Sequence, residues 1–130
     1  MNNRSKIMMG LGIVLILATG LIHIVDASES FADAAYLGWL FYANGLAAVI
    51  AALGIWRGEH AWGWHCGAGL AAVTLLGYLA SRTVGLPQLP AEPDAWLEPL
   101  GVASLLAEAG FLMVYGLAIR PASARPPQNA

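Results

Sequence analysis

Long apolar runs alternate with short polar segments along this chain. Each run is about 20 residues long, and a helix of that length, rising 1.5 Å per residue, crosses a hydrocarbon core of roughly 30 Å. Too little sequence remains to bury four such helices in a water-soluble core. The pattern predicts an all-α, four-transmembrane-helix bundle in a single domain, residues 1–120, with a flexible cytoplasmic tail at 121–130. The predicted spans are residues 7–25, 36–56, 62–81 and 99–119.

The first apolar run also has features of a signal peptide. It follows the basic start MNNRSK, and Val25 and Ala27 stand where cleavage before Ser28 would need small residues. The run is longer than the apolar part of an ordinary signal peptide, which is about 7–15 residues. We therefore expect a retained first helix.

Basic residues predict the orientation of the bundle. Five of the six lie on one side of the predicted spans, and the positive-inside rule assigns that side to the cytoplasm. They are Arg4, Lys6, Arg57, Arg120 and Arg125, whereas Arg82 falls on the other side. The acidic residues of the first and third loops lie opposite: Asp26, Glu29, Asp33, Glu92, Asp94 and Glu98. We predict a multi-pass protein of the bacterial inner membrane with both termini in the cytoplasm.

The outer segment between spans 3 and 4, RTVGLPQLPAEPDAWLE, is rich in proline and also carries apolar side chains. Proline disfavours helix, and Leu86, Leu89, Trp96 and Leu97 would gain nothing from facing water. We expect this loop to fold back over the mouth of the bundle or to lie among the lipid headgroups, although a plain connector remains an alternative. Glu98-Pro99 is a favourable helix start.

Composition excludes several classes of function. Hydrophobic residues make up 58% of the chain and charged residues only 11%, against about 25% in soluble domains, and no basic patch suggests nucleic acid. The single Cys66 excludes dithiol chemistry. His23 and His65 are predicted at opposite depths and His60 lies in the inner turn, so one chain offers no bis-histidine haem site. With no zinc motif either, we expect no cofactor, although a lipid could be bound.

Polar residues inside the predicted spans are the candidates for chemistry. Glu108 interrupts the apolar stretch SLLAEAGFLMVYGL, and an ionisable residue at that depth is costly enough to be a functional candidate. We expect it to be protonated and hydrogen-bonded, with Asn44, Ser104 or His23 as partner, or ionised beside a positive group. Other candidates for binding a ligand or proton are His23, Asn44, Arg82, Asp26, Ser104 and Tyr78, and no residue is assigned a catalytic role.

The candidate polar residues are aligned with the small-residue faces of the helices. This alignment predicts an inward-facing polar pocket that is open to the outside. Each candidate also has a structural explanation. His23 and Asn44 would then only join helices, Arg82 would reach the headgroups and cap span 3, and Glu108 would be a neutral structural acid. If Arg82 instead closes the outer mouth, we expect it to pair with Asp26 or Glu98.

Three segments together resemble one known group of proteins. SRTVGLP at 81–87, EPLG at 98–101, and His23 followed by Asp26 at the end of span 1 are similar to an uncharacterised family of small four-helix bacterial integral membrane proteins. The resemblance extends over all four spans and implies the four-helix fold. It implies no activity.

Two functional hypotheses follow, and a third is weaker. The first is a non-enzymatic accessory or binding subunit that packs against a larger membrane complex, or holds a lipid or pigment, through its Ala/Gly-rich helix faces. The second is a small proton-coupled transporter, alone or as a homo-oligomer, that uses Glu108. Small multidrug transporters are a poor analogy, because their glutamate lies in the first helix and here it lies in span 4. The third is an enzyme acting on lipid or quinone.

Overall fold

The computed structural model describes residues 2–58 and 61–120. In these ranges the regular structure consists of four helices and one isolated β-bridge between Leu86 and Leu89. The helices are α1 (Asn3–Asp33), α2 (Ala35–Arg57), α3 (Trp62–Thr83) and α4 (Pro99–Ala118). The predicted tail at 121–130 and His60 of the inner turn lie outside the described residues.

Three of the helices, α1, α2 and α4, are long and apolar enough to cross a membrane. Helix α3 is of similar length, at 22 residues. It carries glycines, two tryptophans and His65 near its start, and it is not among these three helices. The all-helical prediction is confirmed, and three of the four predicted spans are helices that could cross a membrane.

The predicted first loop is wrong, because α1 continues through it as far as Asp33. Asp26, Glu29 and Asp33 lie on this extension of the helix. No proline or glycine stands between Leu21 and Ala34, so nothing in the local sequence ends the helix earlier. Ala34 alone, in extended conformation (φ −158°, ψ 130°), reverses the chain into α2.

The helices pack antiparallel in sequence order, and α4 closes the bundle against α1. Small residues let them approach closely: a Cβ added at Gly20 of α1 would lie 2.6 Å from the Cβ of Ala48 in α2. A Cβ at Gly63 of α3 would overlap the backbone of Gly54 in α2. Close contact of this kind is the main attraction between helices in lipid.

The two ends of the bundle differ. The basic end carries Arg4, Lys6, Arg57 and Arg120, and the core on this side is apolar, with Ile16 and Phe111 fully buried. The other end, which we call the loop end, is crossed by the α3–α4 loop, residues 84–98.

Hydrogen bonds hold the α3–α4 loop across the loop end. Tyr36 of α2 donates its hydroxyl to the carbonyl of Pro87 at 2.6 Å, and the backbone N–H of Glu92 donates to the carbonyl of Ser81 at 2.9 Å. The loop thus folds back over the bundle, which was one of the two predicted positions. At its far end Glu98 caps α4, because its carboxylate accepts the N–H groups of Leu100 and Gly101, with Pro99 in the first turn.

Candidate functional site

Glu108 lies wholly inside the bundle, with 0% of its surface exposed. The hydroxyl of Ser104, one turn earlier in α4, donates a hydrogen bond to Oε1 of the carboxyl group. The other oxygen, Oε2, has no hydrogen-bond partner within residues 2–58 and 61–120. The carboxyl group therefore faces the interior, as predicted, and Ser104 is the partner among the three expected.

Asn44 of α2 provides a second buried polar group. Its Nδ2 donates to the Thr74 hydroxyl of α3 at 2.9 Å, and that hydroxyl donates in turn to the carbonyl of Leu70 at 2.7 Å. The side-chain oxygen of Asn44 is buried and also finds no partner in the described part of the chain. The sequence analysis missed Thr74, although a hydroxyl in the middle of an apolar run was a usable signal.

His23 of α1 is buried and its ring is fixed at two points. Nδ1 donates to the carbonyl of Thr19 at 2.8 Å, since a carbonyl can only accept. The ring also stands edge-on to Phe41 of α2, with the two centroids 4.8 Å apart. The role predicted for His23 as a link between helices is visible here as an aromatic contact, while its hydrogen bond stays within α1.

Contacts between neighbouring helices show that these groups lie at similar depth. Asn44 and Thr74 touch directly, and Phe41, which contacts His23, is one turn from Asn44. Gly101 of α4 lies against the ring of Tyr78 in α3.

Thr74 lies one helical turn further into the bundle than Tyr78 on α3, and Ser104 lies one turn further in than Gly101 on α4. Each helix therefore places one polar side chain at this level, and Glu108 follows one turn further in. We call this set the polar layer: His23, Asn44, Thr74, Ser104 and Glu108.

The polar layer is enclosed on both sides, so the structure differs from the outward-open pocket that was expected. Towards the basic end, Ile16 and Phe111 are fully buried and fill the bundle beneath it. Towards the loop end lies the bonded α3–α4 loop. His23, Asn44 and Ser104 are each 7% exposed and Glu108 is not exposed at all.

Arg82 and Tyr78 hold the α3–α4 loop and do not join the polar layer. Arg82 donates from Nε to the carbonyl of Ala95 at 3.1 Å, and its guanidinium carbon lies 4.6 Å from the centre of the Tyr78 ring. The Tyr78 hydroxyl donates to the carbonyl of Trp96 at 3.0 Å.

The charged partner of Arg82 is Glu92, at 3.7 Å, and the predicted pairing with Asp26 or Glu98 is wrong. Glu98 is unsuited to this role because its carboxylate already caps α4. Asp26 lies half-buried on the extension of α1, apart from Arg82.

No set of three or more His, Cys, Asp or Glu side chains in the described ranges is arranged to hold a metal ion. His65 lies near the start of α3, where its Nδ1 is 2.7 Å from the Tyr115 hydroxyl of α4. The polar layer therefore offers hydrogen-bond acceptors and donors for a small ligand or a proton.

Comparison with protein-family models, curated proteins and solved structures gives no match to this chain.

Proposed function

We propose that the chain is a four-span protein of the bacterial inner membrane with both termini in the cytoplasm. Helices α1, α2 and α4 are apolar and long enough to cross, and α3 lies antiparallel between α2 and α4. Because α2 ends at the basic end and α4 begins at the loop end, the connecting helix α3 has to cross as well. The basic residues at one end support the orientation.

Within that membrane the protein acts as a non-enzymatic accessory or binding subunit. The observation that carries this proposal is the close backbone packing of its helices, seen where Gly63 meets Gly54 and where Gly20 meets Ala48. Close packing of this kind makes the four helices one rigid unit, as a subunit that docks on a partner requires.

The partner surface differs from the Ala/Gly-rich faces first considered. Those small residues, among them Gly12, Ala48 and Ala71, are buried between the four helices and are not free to meet another protein. The outward surface carries large apolar side chains, with Val73 of α3 and Met113 of α4 about 70% exposed. We propose that a neighbouring membrane subunit packs on such a surface.

Site-specific photo-crosslinking in native membranes tests this function. A photo-crosslinking amino acid is placed at Val73 or Met113, with the fully buried Ala71 as the matched control on α3. We expect one discrete crosslinked product, of constant mass, from at least one exposed position and none from Ala71. Lipid adducts alone at both exposed positions, or a product containing only copies of this chain, would overturn the accessory function.

A second candidate, proton-coupled transport, is favoured by one specific observation. Two buried acceptors of the polar layer, Oε2 of Glu108 and Oδ1 of Asn44, lack donors among the described residues. A proton bound to Glu108 would supply one donor and remove the cost of a buried charge.

Proteoliposomes containing a pH-sensitive dye distinguish this candidate from the first. Transport predicts proton flux that is abolished in Glu108→Gln and retained in Glu29→Gln, a matched change at an exposed acid of α1. Equal flux in both variants and in protein-free vesicles would remove the candidate.

A further inference from the structure

A groove opens at the basic end of the bundle, far from the polar layer. Two cavities of about 440 Å³ and 190 Å³ have four residues in common in their walls, so they adjoin each other. The shared residues are Ile55, Gly58, Trp64 and Ala118. The volume of the larger cavity falls within the range of small-ligand sites, about 300–1,000 Å³.

The groove has an apolar wall and a polar rim. Ile55, Trp64 and Ala118 form part of its wall, and Met8 and Met9 extend that wall along α1. His65 and Arg120 are polar lining residues of the larger cavity. The His65 ring is held by its contact with Tyr115, which occupies Nδ1 and leaves Nε2 as its second nitrogen.

The charge around the groove is positive. Arg4, Lys6, Arg57 and Arg120 all lie exposed at this end. Within residues 2–58 and 61–120 every acidic side chain is at the loop end or, for Glu108, inside the bundle. In the sequence, Glu59 is the one acid on this side of the spans, against five bases, because Arg125 joins the four named here. An anionic ligand is therefore favoured.

The groove also lies at the depth of the membrane surface. Trp56 and Trp62, which flank the turn from α2 to α3, are exposed to the surroundings of the bundle. Tryptophan favours the boundary between hydrocarbon and headgroups. A ligand with a charged head and an apolar body would place both parts correctly here.

We propose that this groove is a binding site for an anionic phospholipid. The phosphate group binds at Arg120, with His65 as a further donor, and an acyl chain follows the apolar wall past Trp64 and Ala118. Basic pockets between helices at the membrane surface bind anionic headgroups in this way. The site rests on membrane insertion of the bundle and is independent of the polar layer.

Native mass spectrometry of the full-length protein in neutral detergent tests the site, with phosphatidylglycerol as the probe and phosphatidylcholine as the comparison. We expect phosphatidylglycerol to bind more tightly than phosphatidylcholine. Arg120→Gln should weaken it about fivefold. Arg57→Gln, a matched loss of charge at the same end outside the groove wall, should weaken it less than twofold. Equal binding of the two lipids, or equal losses in the two variants, would overturn the proposal.

A second pair of variants tests the apolar wall. Ala118→Phe fills both cavities, whereas Gly116→Phe adds the same ring on the same helix, at a position where a new Cβ meets no atom within 4 Å. We expect only the first to reduce binding, and a thermal unfolding measurement verifies that both variants are folded. Equal reduction by both would contradict the proposed wall.

Three further measurements identify the occupant. Inorganic phosphate should not displace the lipid, and full displacement would indicate a plain anion site. A chain in which residues 121–130 are replaced by a Gly/Ser segment of the same length should bind within about twofold of the full chain, and loss of binding there would assign the site to residues 121–130 instead. Glu108→Gln should bind the lipid unchanged, so failure of the groove and failure of the polar layer are separable.

Discussion

Ser104 and Glu108 form a hydrogen bond within α4 that is wholly enclosed by the bundle. The hydroxyl belongs to the same helix as the acid, one turn away, so the bond does not join two helices. It satisfies one oxygen of the carboxyl group and makes no direct link between helices. Removing the acid would therefore break no hydrogen bond between helices.

Glu108→Gln should therefore keep the fold, because the amide oxygen still accepts from Ser104. We expect the free energy of unfolding to change by about 1 kcal/mol or less. Glu108→Leu should be equally or more stable, since it removes a buried polar group, and should lose whatever ligand or proton dependence the protein has. Unfolding in mixed micelles measures both. A loss of several kcal/mol in Glu108→Leu would make the acid structural.

The Asn44–Thr74 hydrogen bond joins α2 to α3 and can be measured as a coupling energy. A double-mutant cycle with Asn44→Leu and Thr74→Val should give about 0.6 kcal/mol, the average for such bonds in membrane proteins. A coupling near zero, measured by the same unfolding method, would show that the two helices are held by packing alone.

Glycines of α3 give a matched pair for the packing between helices. A Cβ at Gly63 would overlap the backbone of Gly54, so Gly63→Ala should push α2 and α3 apart and cost about 1–3 kcal/mol. Gly69→Ala places its methyl group where no atom lies within 4 Å, and should be neutral or stabilising by up to about 1 kcal/mol. Similar unfolding free energies for the two variants would contradict the close α2–α3 contact.

Arg82 should control how firmly the α3–α4 loop is held. Arg82→Ala removes the hydrogen bond to Ala95 and the pair with Glu92, so limited proteolysis of the loop should become faster. Arg82→Lys should restore part of the protection, because an ammonium group cannot reproduce the planar fork of a guanidinium. Thr83→Ala, an exposed neighbour whose hydroxyl bonds only to its own helix, is the control. If proteolysis were unchanged in Arg82→Ala, Arg82 would not hold the loop, and contact with lipid headgroups would be the better explanation of its position.

Cysteine labelling tests the proposed orientation. In a Cys66→Ala background, an impermeant thiol reagent added outside the cell should modify Gln88→Cys, in the α3–α4 loop, and should not modify Ser5→Cys at the basic end. Both positions are exposed, so access depends only on the side of the membrane. If only Ser5→Cys were labelled, the basic end would face outward and the proposed orientation would be wrong.

The helix boundaries were the most predictable part of the structure. The starts and ends of α2, α3 and α4 fall within two residues of the predicted spans, because tryptophan, Pro99 and the Arg57-Gly58 pair mark them in the sequence. The end of α1 was not predictable in this way. A change from apolar to polar residues after Val25 marks the edge of the hydrocarbon, and it does not mark the end of a helix.

The sequence predicted which residues of the candidate site are buried better than it predicted their hydrogen-bond and ionic partners. Helical periodicity placed Glu108, Asn44 and Ser104 on inward faces, and the structure shows them buried. Thr74 was missed because one threonine changes the hydropathy of a run very little. The partner of Arg82 depends on the path of the α3–α4 loop, which local sequence does not determine. Gln88, for example, adopts a positive φ of 66° after Pro87, in a turn position usually taken by glycine.

The single-residue connection at Ala34 has a consequence for how the protein is made. With almost no chain between them, α1 and α2 cannot enter the membrane far apart in time, and we expect them to leave the translocon as one hairpin. The α3–α4 pair is closed by the much longer segment 84–98, so its contacts require a larger loop to close and form later. The first hairpin would then be the template on which the second half of the nascent chain docks.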